Sequence, residues 1–287
     1  KLTHMTELKP TLKLAIGQMC SAASHAPNIA VMEQLVQEAT ASGAELLCLP
    51  EVAGLMNRDG KAAAEMVGPA EVDPYLAAAR NAAQQAGIWL HPGSTPVLGP
   101  DGRFLNHSVL IDPEGREVAA YDKIHLFDVA LEGQAPIGES KRFAPGDRAV
   151  LVHTPWGPWG MSICYDLRFA HLYHSYGQLG ARVMFVPAAF TVPTGRAHWE
   201  VLLRARAIET GAFVVAAAQA GQHEDGRETW GHSLVISPWG EVLADLGPDA
   251  APSCAILELD LTEVERARAQ IPNLKNGRDF HLVEITA

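Results

Sequence analysis

Cysteine is scarce in this sequence: the 287 residues contain four, and no two of them are spaced as a disulfide framework or a metal site would require. Small secreted domains that depend on disulfides are far richer in cysteine, and zinc or redox sites usually carry a C-x-x-C pair. Cys20, Cys48, Cys164 and Cys254 are therefore expected to be free thiols.

Long apolar runs and an excess of basic residues are also absent. No run approaches the roughly 18 to 20 apolar residues of a membrane-spanning helix, and the first thirty residues lack the pattern of a secretory signal. The formal net charge is -11, whereas nucleic acids and anionic membranes are usually bound by a concentrated basic surface. We therefore expect no nucleic-acid or membrane partner, a small-molecule substrate and a cytoplasmic location.

Apolar residues, by contrast, are abundant enough for a substantial core, at 48% of the sequence against 19% charged residues. The chain exceeds the usual single-domain length, but α/β folds often reach this size as one unit. We predict one domain over residues 12–277 and a C-terminal tail over residues 278–287. Residues 1–4 precede Met5 and fit no element, so we expect them to be the remnant of an expression leader.

Strand-like and helix-like patterns alternate along most of the chain. Residues 12–19 read as an apolar strand and residues 28–40 as a helix with one apolar face, and this alternation recurs. Turn sequences at residues 113–115 and 238–240 predict hairpins. Because strands that interleave with helices also form hairpins, we predict mixed sheets. The expected fold is α/β: two mixed β-sheets packed face to face with helices outside, a four-layer α-β-β-α sandwich.

Three chemically reactive residues stand at the ends of predicted strands. Cys164 closes an apolar run that begins at Gly160, Glu51 follows a short strand ended by Pro50, and Lys123 follows a third strand. If these strands are neighbours, their ends meet in one pocket. A lone cysteine is more often a small buried apolar residue, and a lone glutamate or lysine a solvated surface charge. The functional interpretation therefore depends on all three residues together.

The segments around these residues resemble the three signature blocks of the nitrilase, or carbon–nitrogen hydrolase, superfamily. They are LLCLPE ending at Glu51, YDKIHLFD around Lys123 and SICYDLRF around Cys164, in the order that the family has them. The resemblance extends from about Leu12 to Gly277. It implies the nitrilase-like form of the sandwich and an amidase that hydrolyses carbon–nitrogen bonds.

The resemblance assigns Glu51 as general base, Lys123 as the cation that stabilises the tetrahedral intermediate, and Cys164 as nucleophile. It also matches Glu139, in GESKRFAPG, to a second glutamate that many members keep near the lysine; a surface carboxylate is the alternative. An adjacent carboxylate can take the thiol proton while an ammonium favours the negative product. Lys123 and the backbone N–H of Tyr165 are expected to bind the oxyanion. This chemistry requires neither a metal nor an organic cofactor.

Segments later in the chain resemble one branch of the superfamily in particular. Residues 197–210, followed by VVAAAQ and GHS, resemble the branch whose members act on deaminated glutathione. This implies hydrolysis of a 2-oxoglutaramyl peptide to 2-oxoglutarate and cysteinylglycine. Because such a substrate carries carboxylates, Arg168 and Arg196 are candidate substrate-binding cations, with structural pairing to acidic neighbours as the alternative for each. Relatives of this kind also imply a homodimer or a higher homo-oligomer.

Other functions stay open on the sequence alone. An omega-amidase acting on 2-oxoglutaramate, or another small-carboxamide or N-carbamoyl hydrolase, would share fold and catalytic residues. A metal-dependent hydrolase is suggested by His171 and His174 on one helical face and by His125 with Asp128. A catalytically silent interaction module is a third class, although all three catalytic positions are filled. Ser162 is a poor alternative nucleophile because no G-x-S-x-G elbow surrounds it.

Overall fold

The structure is a computed structural model that describes residues 8–130, 132 and 136–286. The expected leader remnant at residues 1–4 lies outside this range. At the other end, residues 277–286 form no helix or strand. Within the described ranges, no helix combines the length and the apolar character that crossing a bilayer requires.

The strands of the described chain fall into two larger sheets and two short hairpin-like pairs. They are β1 (Thr11–Gln18), β2 (Leu46–Cys48), β3 (Trp89–His91), β4 (Ser94–Leu98), β5 (Phe104–Ile111), β6 (Glu117–Asp122), β7 (Asp128–Val129), β8 (Ile137–Gly138), β9 (Leu151–Thr154), β10 (Gly157–Met161), β11 (Val183–Phe185), β12 (Phe213–Ala216), β13 (Ala220–Gln222), β14 (Glu228–Trp230), β15 (Leu234–Ile236), β16 (Val242–Asp245) and β17 (Ser253–Asp260).

The α-helices lie between these strands and after the last of them. They are α1 (His25–Ala41), α2 (Gly60–Met66), α3 (Pro74–Ala86), α4 (Ala170–Gln178), α5 (Val192–Thr210), α6 (Thr262–Gln270) and α7 (Asn273–Asn276). Short 3₁₀ helices span Ala70–Val72, Glu139–Lys141 and Cys164–Arg168.

Both larger sheets are mixed, as the hairpins within the alternating pattern predict. The first has the order β17-β1-β2-β3-β5-β4, with β6 paired to β5, and the second has the order β16-β15-β12-β11-β10-β9. In the first, β1, β2 and β3 run parallel while β17 is antiparallel to β1. In the second, β10, β11 and β12 run parallel while β9 and β15 are antiparallel to their neighbours.

Strand alternation divides the core into three buried layers. Leu14 and Ile16 of β1 point into the layer between the sheets, where they join Trp159 and Phe185 of the second sheet. Ala15, between them, faces α1 and α3 on the outside of the first sheet. Because strands buried on both faces need apolar residues at successive positions, their runs read as continuous. Helices α4 and α5 cover the other sheet, so the predicted four-layer α-β-β-α sandwich is confirmed.

The helix boundaries follow local signals. Asp73 caps α3 by accepting a hydrogen bond from the Leu76 amide at 2.9 Å, Pro74 occupies the first turn, and Gly87 ends the helix in the left-handed conformation. These are the residues that helix ends favour.

The sequence predicts a helix from about residue 197 to residue 210, but helix α5 begins earlier, at Val192. Pro193 and Gly195 suggest a break, yet a proline in the first turn lacks only an N–H that has no intrahelical partner there. Gly195 packs so closely on Trp230 that an added Cβ would come within 2.3 Å of the indole ring. Tertiary packing therefore retains a residue that local propensity disfavours.

A buried histidine between the sheets gives a pH-dependent stability prediction. The His91 ring packs on Phe185 with their centroids 4.8 Å apart, and burial lowers its pKa from 6.5 to about 4. Between these values the unfolded chain binds a proton that the folded chain does not. The free energy of unfolding should therefore fall by about 3 kcal/mol as the pH drops from about 6.5 to about 4. Urea unfolding at pH 7 and pH 4.5 measures this decrease.

The His91→Gln variant serves as the comparison. It should unfold with a shallower dependence on pH than the parent protein, whatever its stability at pH 7. His223 is also buried with a lowered pKa, but it contributes equally to both proteins. An equal loss of stability in the two proteins between pH 7 and pH 4.5 would contradict the assignment to His91.

Candidate active site

Cys164 lies in a tight turn between the second sheet and α4. The preceding strand β10 ends at Met161, and Cys164 is the first residue of a 3₁₀ helix, so the predicted strand running to Cys164 is too long. The Cys164 backbone has φ of 49°, and its amide donates to the Pro187 carbonyl at 2.9 Å. Left-handed backbone at a non-glycine residue costs about 1–3 kcal/mol and is found mostly at functional sites.

Glu51 follows β2 and Pro50, and its side chain is buried among hydrogen-bond donors. Its Oε1 accepts hydrogen bonds from Asn106 Nδ2 at 2.9 Å and from Lys123 Nζ at 2.8 Å. Its Oε2 accepts one from the Ala189 amide at 2.9 Å. The residue is 4% exposed, so these donors replace water around the carboxylate.

Lys123, 2% exposed, lies between two carboxylates. Its Nζ is 2.8 Å from Glu51 Oε1 and 2.9 Å from Glu139 Oε2. Burial by itself lowers the pKa of an ammonium, but the charges of Glu139 and Glu51 outweigh that effect and raise the pKa of Lys123 well above 10.5. The lysine is therefore a permanent cation in this cluster.

Glu139 reaches Lys123 because the long segment after β6 folds back on itself. Strands β7 and β8 pair antiparallel, and Glu139 follows β8 directly. Its Oε2 also accepts a hydrogen bond from the Phe127 amide at 2.6 Å. The structure thus places Glu139 against the lysine, not on the surface.

The Cys164 thiol completes the cluster. Burial raises its pKa well above 9.0, the adjacent Glu51 carboxylate raises it further, and the Lys123 ammonium opposes both effects. Glu51 is thus near enough to the thiol for its charge to act on the sulfur. Because the resting sulfur is protonated and lies near a carboxylate, Glu51 can accept its proton when a nucleophile is needed.

Tyr165 follows the nucleophile and presents a free amide. Its N–H donates to no other residue within the described parts of the chain, whereas the Cys164 and Asp166 amides are both engaged. The half-buried Tyr165 ring packs edge-on against Phe127 with centroids 5.0 Å apart. A free amide beside Cys164 suits the binding of a developing oxyanion.

Arg168 ends the 3₁₀ helix that Cys164 begins. Its guanidinium carbon lies 5.8 Å from the Tyr165 ring centre and 5.6 Å from that of Phe190. Two of its nitrogens donate to His198 Nδ1 at 3.3 Å. No carboxylate pairs with it among the residues that the structure describes, so the expected alternative of structural pairing is not found there.

Arg196 lies elsewhere, on the exposed side of the first turns of α5. Its guanidinium stacks over Trp230 at 5.6 Å, and it lines a shallow groove with His198 and Glu200. Arg196 makes no ion pair with a described carboxylate. Within the described parts of the chain, it also makes no hydrogen bond or ion pair with the catalytic cluster, which consists of Glu51, Lys123, Glu139 and Cys164. The structure therefore brings Arg168, but not Arg196, next to the turn formed by residues 163–166 around Cys164, which we call the nucleophile turn.

Sequence analysis missed three groups that hold the cluster: Asn106, the Ala189 amide and Asp166. Asn106 is a buried polar residue within strand β5, and a polar residue in a buried strand is a usable signal. Asp166 lies within the recognised segment SICYDLRF, yet nothing local gives its partners. The Ala189 amide has no sequence signal because any residue supplies an N–H.

The histidines proposed as metal ligands have other partners. His125 Nδ1 donates to Asp166 Oδ1 at 2.7 Å, and its ring stacks on Phe169 with centroids 3.5 Å apart. His171 meets the His125 ring only edge-on, at 5.8 Å. In residues 8–130, 132 and 136–286, no three His, Cys, Asp or Glu side chains are arranged to hold a metal ion.

Comparison with known proteins identifies the family. The family model described as carbon-nitrogen hydrolase matches residues 13–269. The chain belongs to the carbon–nitrogen hydrolase family. The deaminated glutathione amidase of Synechocystis sp. is 39% identical to it over 274 residues, covering 94% of this chain and 98% of that protein. The human protein of the same name is 38% identical over 273 residues, covering 92% and 82%.

The fold of this carbon–nitrogen hydrolase also matches solved structures. The C. elegans NitFhit protein superimposes with a TM-score of 0.87 at 34% identity, covering 94% of this chain and 66% of that one. The family and the amidase class predicted from the three sequence segments are thereby confirmed.

Proposed function

We propose that this hydrolase cleaves the amide of deaminated glutathione, a 2-oxoglutaramyl peptide, to 2-oxoglutarate and cysteinylglycine. The observation that carries the proposal is the buried cluster in which Lys123 Nζ contacts Glu51 and Glu139 at 2.8 and 2.9 Å, with Cys164 near enough for the charges of Glu51 and Lys123 to act on its thiol. The cluster supports cysteine-dependent amide hydrolysis. The substrate follows from relatives of 36–39% identity that are named for it.

In the first half of the proposed reaction, Glu51 takes the Cys164 proton as sulfur attacks the amide carbon. The C–S bond forms and the carbonyl oxygen becomes an oxyanion. Lys123 and the free Tyr165 amide stabilise this charge; removing one such donor costs other hydrolases about 3–4 kcal/mol of transition-state stabilisation. Glu139 contacts Lys123 at 2.9 Å and keeps the ammonium oriented.

In the second half, the C–N bond breaks and the amine of cysteinylglycine receives the proton from Glu51. The thioester that remains is attacked by water, from which Glu51 removes a proton. A C–O bond forms, the C–S bond breaks, and the thiolate regains its proton. Glu51 therefore acts alternately as base and acid, and its three hydrogen bonds keep the carboxylate oriented throughout.

Substrate identity is tested by comparing two amides. The purified protein should turn over deaminated glutathione with a higher kcat/KM than 2-oxoglutaramate, measured by release of 2-oxoglutarate. A preference for 2-oxoglutaramate would instead assign an omega-amidase. Because all proposed catalytic groups are side chains and one amide, activity should be unchanged after treatment with a chelator; its loss would favour the metal-dependent alternative.

Arg168 is proposed to bind a substrate carboxylate. It is adjacent to the nucleophile turn and has no described carboxylate partner of its own. Replacing it with methionine should raise KM about 10-fold to 100-fold with a smaller effect on kcat, since a hydrogen bond to a charged group is worth about 1.5–3 kcal/mol. Steady-state kinetics with deaminated glutathione measure the change.

The matched control is Arg196→Met, which removes a guanidinium that also stacks on an aromatic ring. We expect its KM to stay within about threefold of the parent value. If the Arg196 variant loses binding and the Arg168 variant does not, the two assignments must be exchanged.

Domain limits, assembly and location belong to the same proposal. A single domain over residues 12–277 is supported by the family match to residues 13–269. We propose a homodimer, or a higher homo-oligomer, that works in the cytoplasm. Light scattering of the purified protein tests the assembly, and a mass equal to one chain would contradict it.

A further inference from the structure

Asp166 is a wholly buried carboxylate, 0% exposed, that the reaction described above does not use. Its Oδ2 accepts hydrogen bonds from the Tyr121 hydroxyl at 2.6 Å and the Ile163 amide at 2.8 Å. Its Oδ1 accepts from the His125 amide at 3.0 Å and from His125 Nδ1 at 2.7 Å. Each oxygen thus has one backbone and one side-chain donor.

These partners bracket both Lys123 and Cys164. Tyr121 lies two residues before the lysine and His125 two residues after it, on a segment about 40 residues away from Asp166 in sequence. On the other side, Ile163 immediately precedes the cysteine and Asp166 follows it by two residues. One carboxylate therefore fixes the lysine segment and the nucleophile turn to each other.

The four hydrogen bonds of Asp166 form a junction between residues 121–125, which carry Lys123, and the nucleophile turn. The groups around this junction make it rigid. Burial, followed by the charge of Asp166, raises the pKa of Tyr121, so the hydroxyl stays protonated and donates. The His125 ring stacks nearly parallel on Phe169, with an interplanar angle of 9°. The turn between Ile163 and Asp166 contains the strained Cys164 backbone, which persists only where surrounding bonds determine it.

We infer that Asp166 is a positioning residue that sets the distance between the Cys164 sulfur and the Lys123 ammonium. The inference rests on the proposed function for its kinetic consequences, but its geometry stands on the four hydrogen bonds. Loss of the junction lets the ammonium move away from the sulfur. A displacement of about 1 Å in a catalytic group can cost on the order of 100-fold in rate.

The most direct variant is Asp166→Asn. Because both carboxylate oxygens accept from a backbone N–H, either orientation of the asparagine side chain turns its NH₂ group toward a donor. Milder variants are Tyr121→Phe, which removes only the hydroxyl, and His125→Phe, which keeps a ring on Phe169 and the backbone N–H. If Asp166→Asn does not fold, these two carry the comparison.

The control is His107→Phe. His107 Nδ1 is 2.7 Å from Asp122 Oδ1, the same distance as in the His125–Asp166 pair, and Asp122 directly precedes Lys123. This second pair does not touch the nucleophile turn. The His107→Phe variant therefore removes a histidine–carboxylate hydrogen bond beside the lysine and leaves the Asp166 junction intact.

Two measurements separate positioning from a structural role. The first is kcat and KM, where we expect kcat to fall about 10-fold to 100-fold in Asp166→Asn and less in the milder variants, with KM within about threefold. The second is the pH dependence of Cys164 alkylation by iodoacetamide, followed on the Cys164 peptide by mass spectrometry. The midpoint should rise by about one pH unit because the ammonium that favours the thiolate has moved away.

A purely structural role would reduce the amount of folded protein and leave the alkylation midpoint where it is. An unchanged midpoint in the folded variants, or an equal shift in His107→Phe, would overturn the inference. Alkylation needs no substrate, so the comparison still holds if the parent protein hydrolyses neither amide. That last result would overturn the proposed function alone.

Discussion

Replacing Cys164 with alanine is expected to abolish hydrolysis, with a decrease in kcat of about 10⁴-fold to 10⁶-fold. Without sulfur no thioester can form. Ser162, two residues earlier, cannot substitute, because its buried hydroxyl is hydrogen-bonded to the Tyr173 hydroxyl and to the Phe185 carbonyl, each at 2.7 Å. Alanine accepts the same backbone as cysteine, so the fold should persist. Single-turnover assays for a covalent acyl-enzyme, together with circular dichroism, measure both effects.

Cys48→Ala provides a matched control. Cys48 is also buried, 2% exposed, but it lies in the layer between the sheets, where burial and not the charge of Glu51 or Lys123 raises the pKa of its thiol. Its loss should lower the free energy of unfolding by about 1–2 kcal/mol and leave kcat unchanged. Activity that survives in Cys164→Ala but not in Cys48→Ala would reverse the assignment of the nucleophile.

Replacing Lys123 with methionine should have the second largest effect, on both activity and stability. The ammonium contacts Glu51 and Glu139, and its removal leaves two carboxylates close together and shielded from water. Removing one partner of a buried ion pair costs about 3–5 kcal/mol. The rate should fall at least about 100-fold because an oxyanion donor is lost. Urea unfolding and steady-state kinetics measure the two losses.

The pH dependence of this variant has a definite sign. Without the ammonium, two carboxylates are left close together in a buried site, where mutual repulsion and the loss of water disfavour their charged forms. Folding then favours their protonated forms, so the variant should lose stability as the pH rises from 5 to 8. The parent protein, whose Lys123 pKa is raised, should show no such loss.

A double variant tests whether charge is the cause. Adding Glu139→Gln to Lys123→Met removes one of the two unpaired carboxylates, so part of the lost stability should return while activity stays low. A double variant no more stable than Lys123→Met would indicate that lost packing, and not unpaired charge, dominates.

The sequence by itself determined the fold class, several of the elements and the family. Apolar periodicity is a local property, so strand β1, helix α1 and both hairpin turns could be predicted directly. The segments around Glu51, Lys123 and Cys164 identified the family because each carries its own short pattern. Local patterns also predicted that each of these residues follows a strand, and that their side chains meet if the three strands are neighbours.

Tertiary structure alone decided which groups meet. Glu51 and Lys123 are 72 residues apart in sequence, and Glu51 and the Ala189 amide are 138 apart; the distances that make them a site exist only after the sheets pack. The left-handed Cys164 backbone and the four bonds of Asp166 likewise had no local signature. Periodicity reports which face of an element is buried, whereas hydrogen-bond partners depend on how distant elements are juxtaposed, and that is fixed by packing of the whole core.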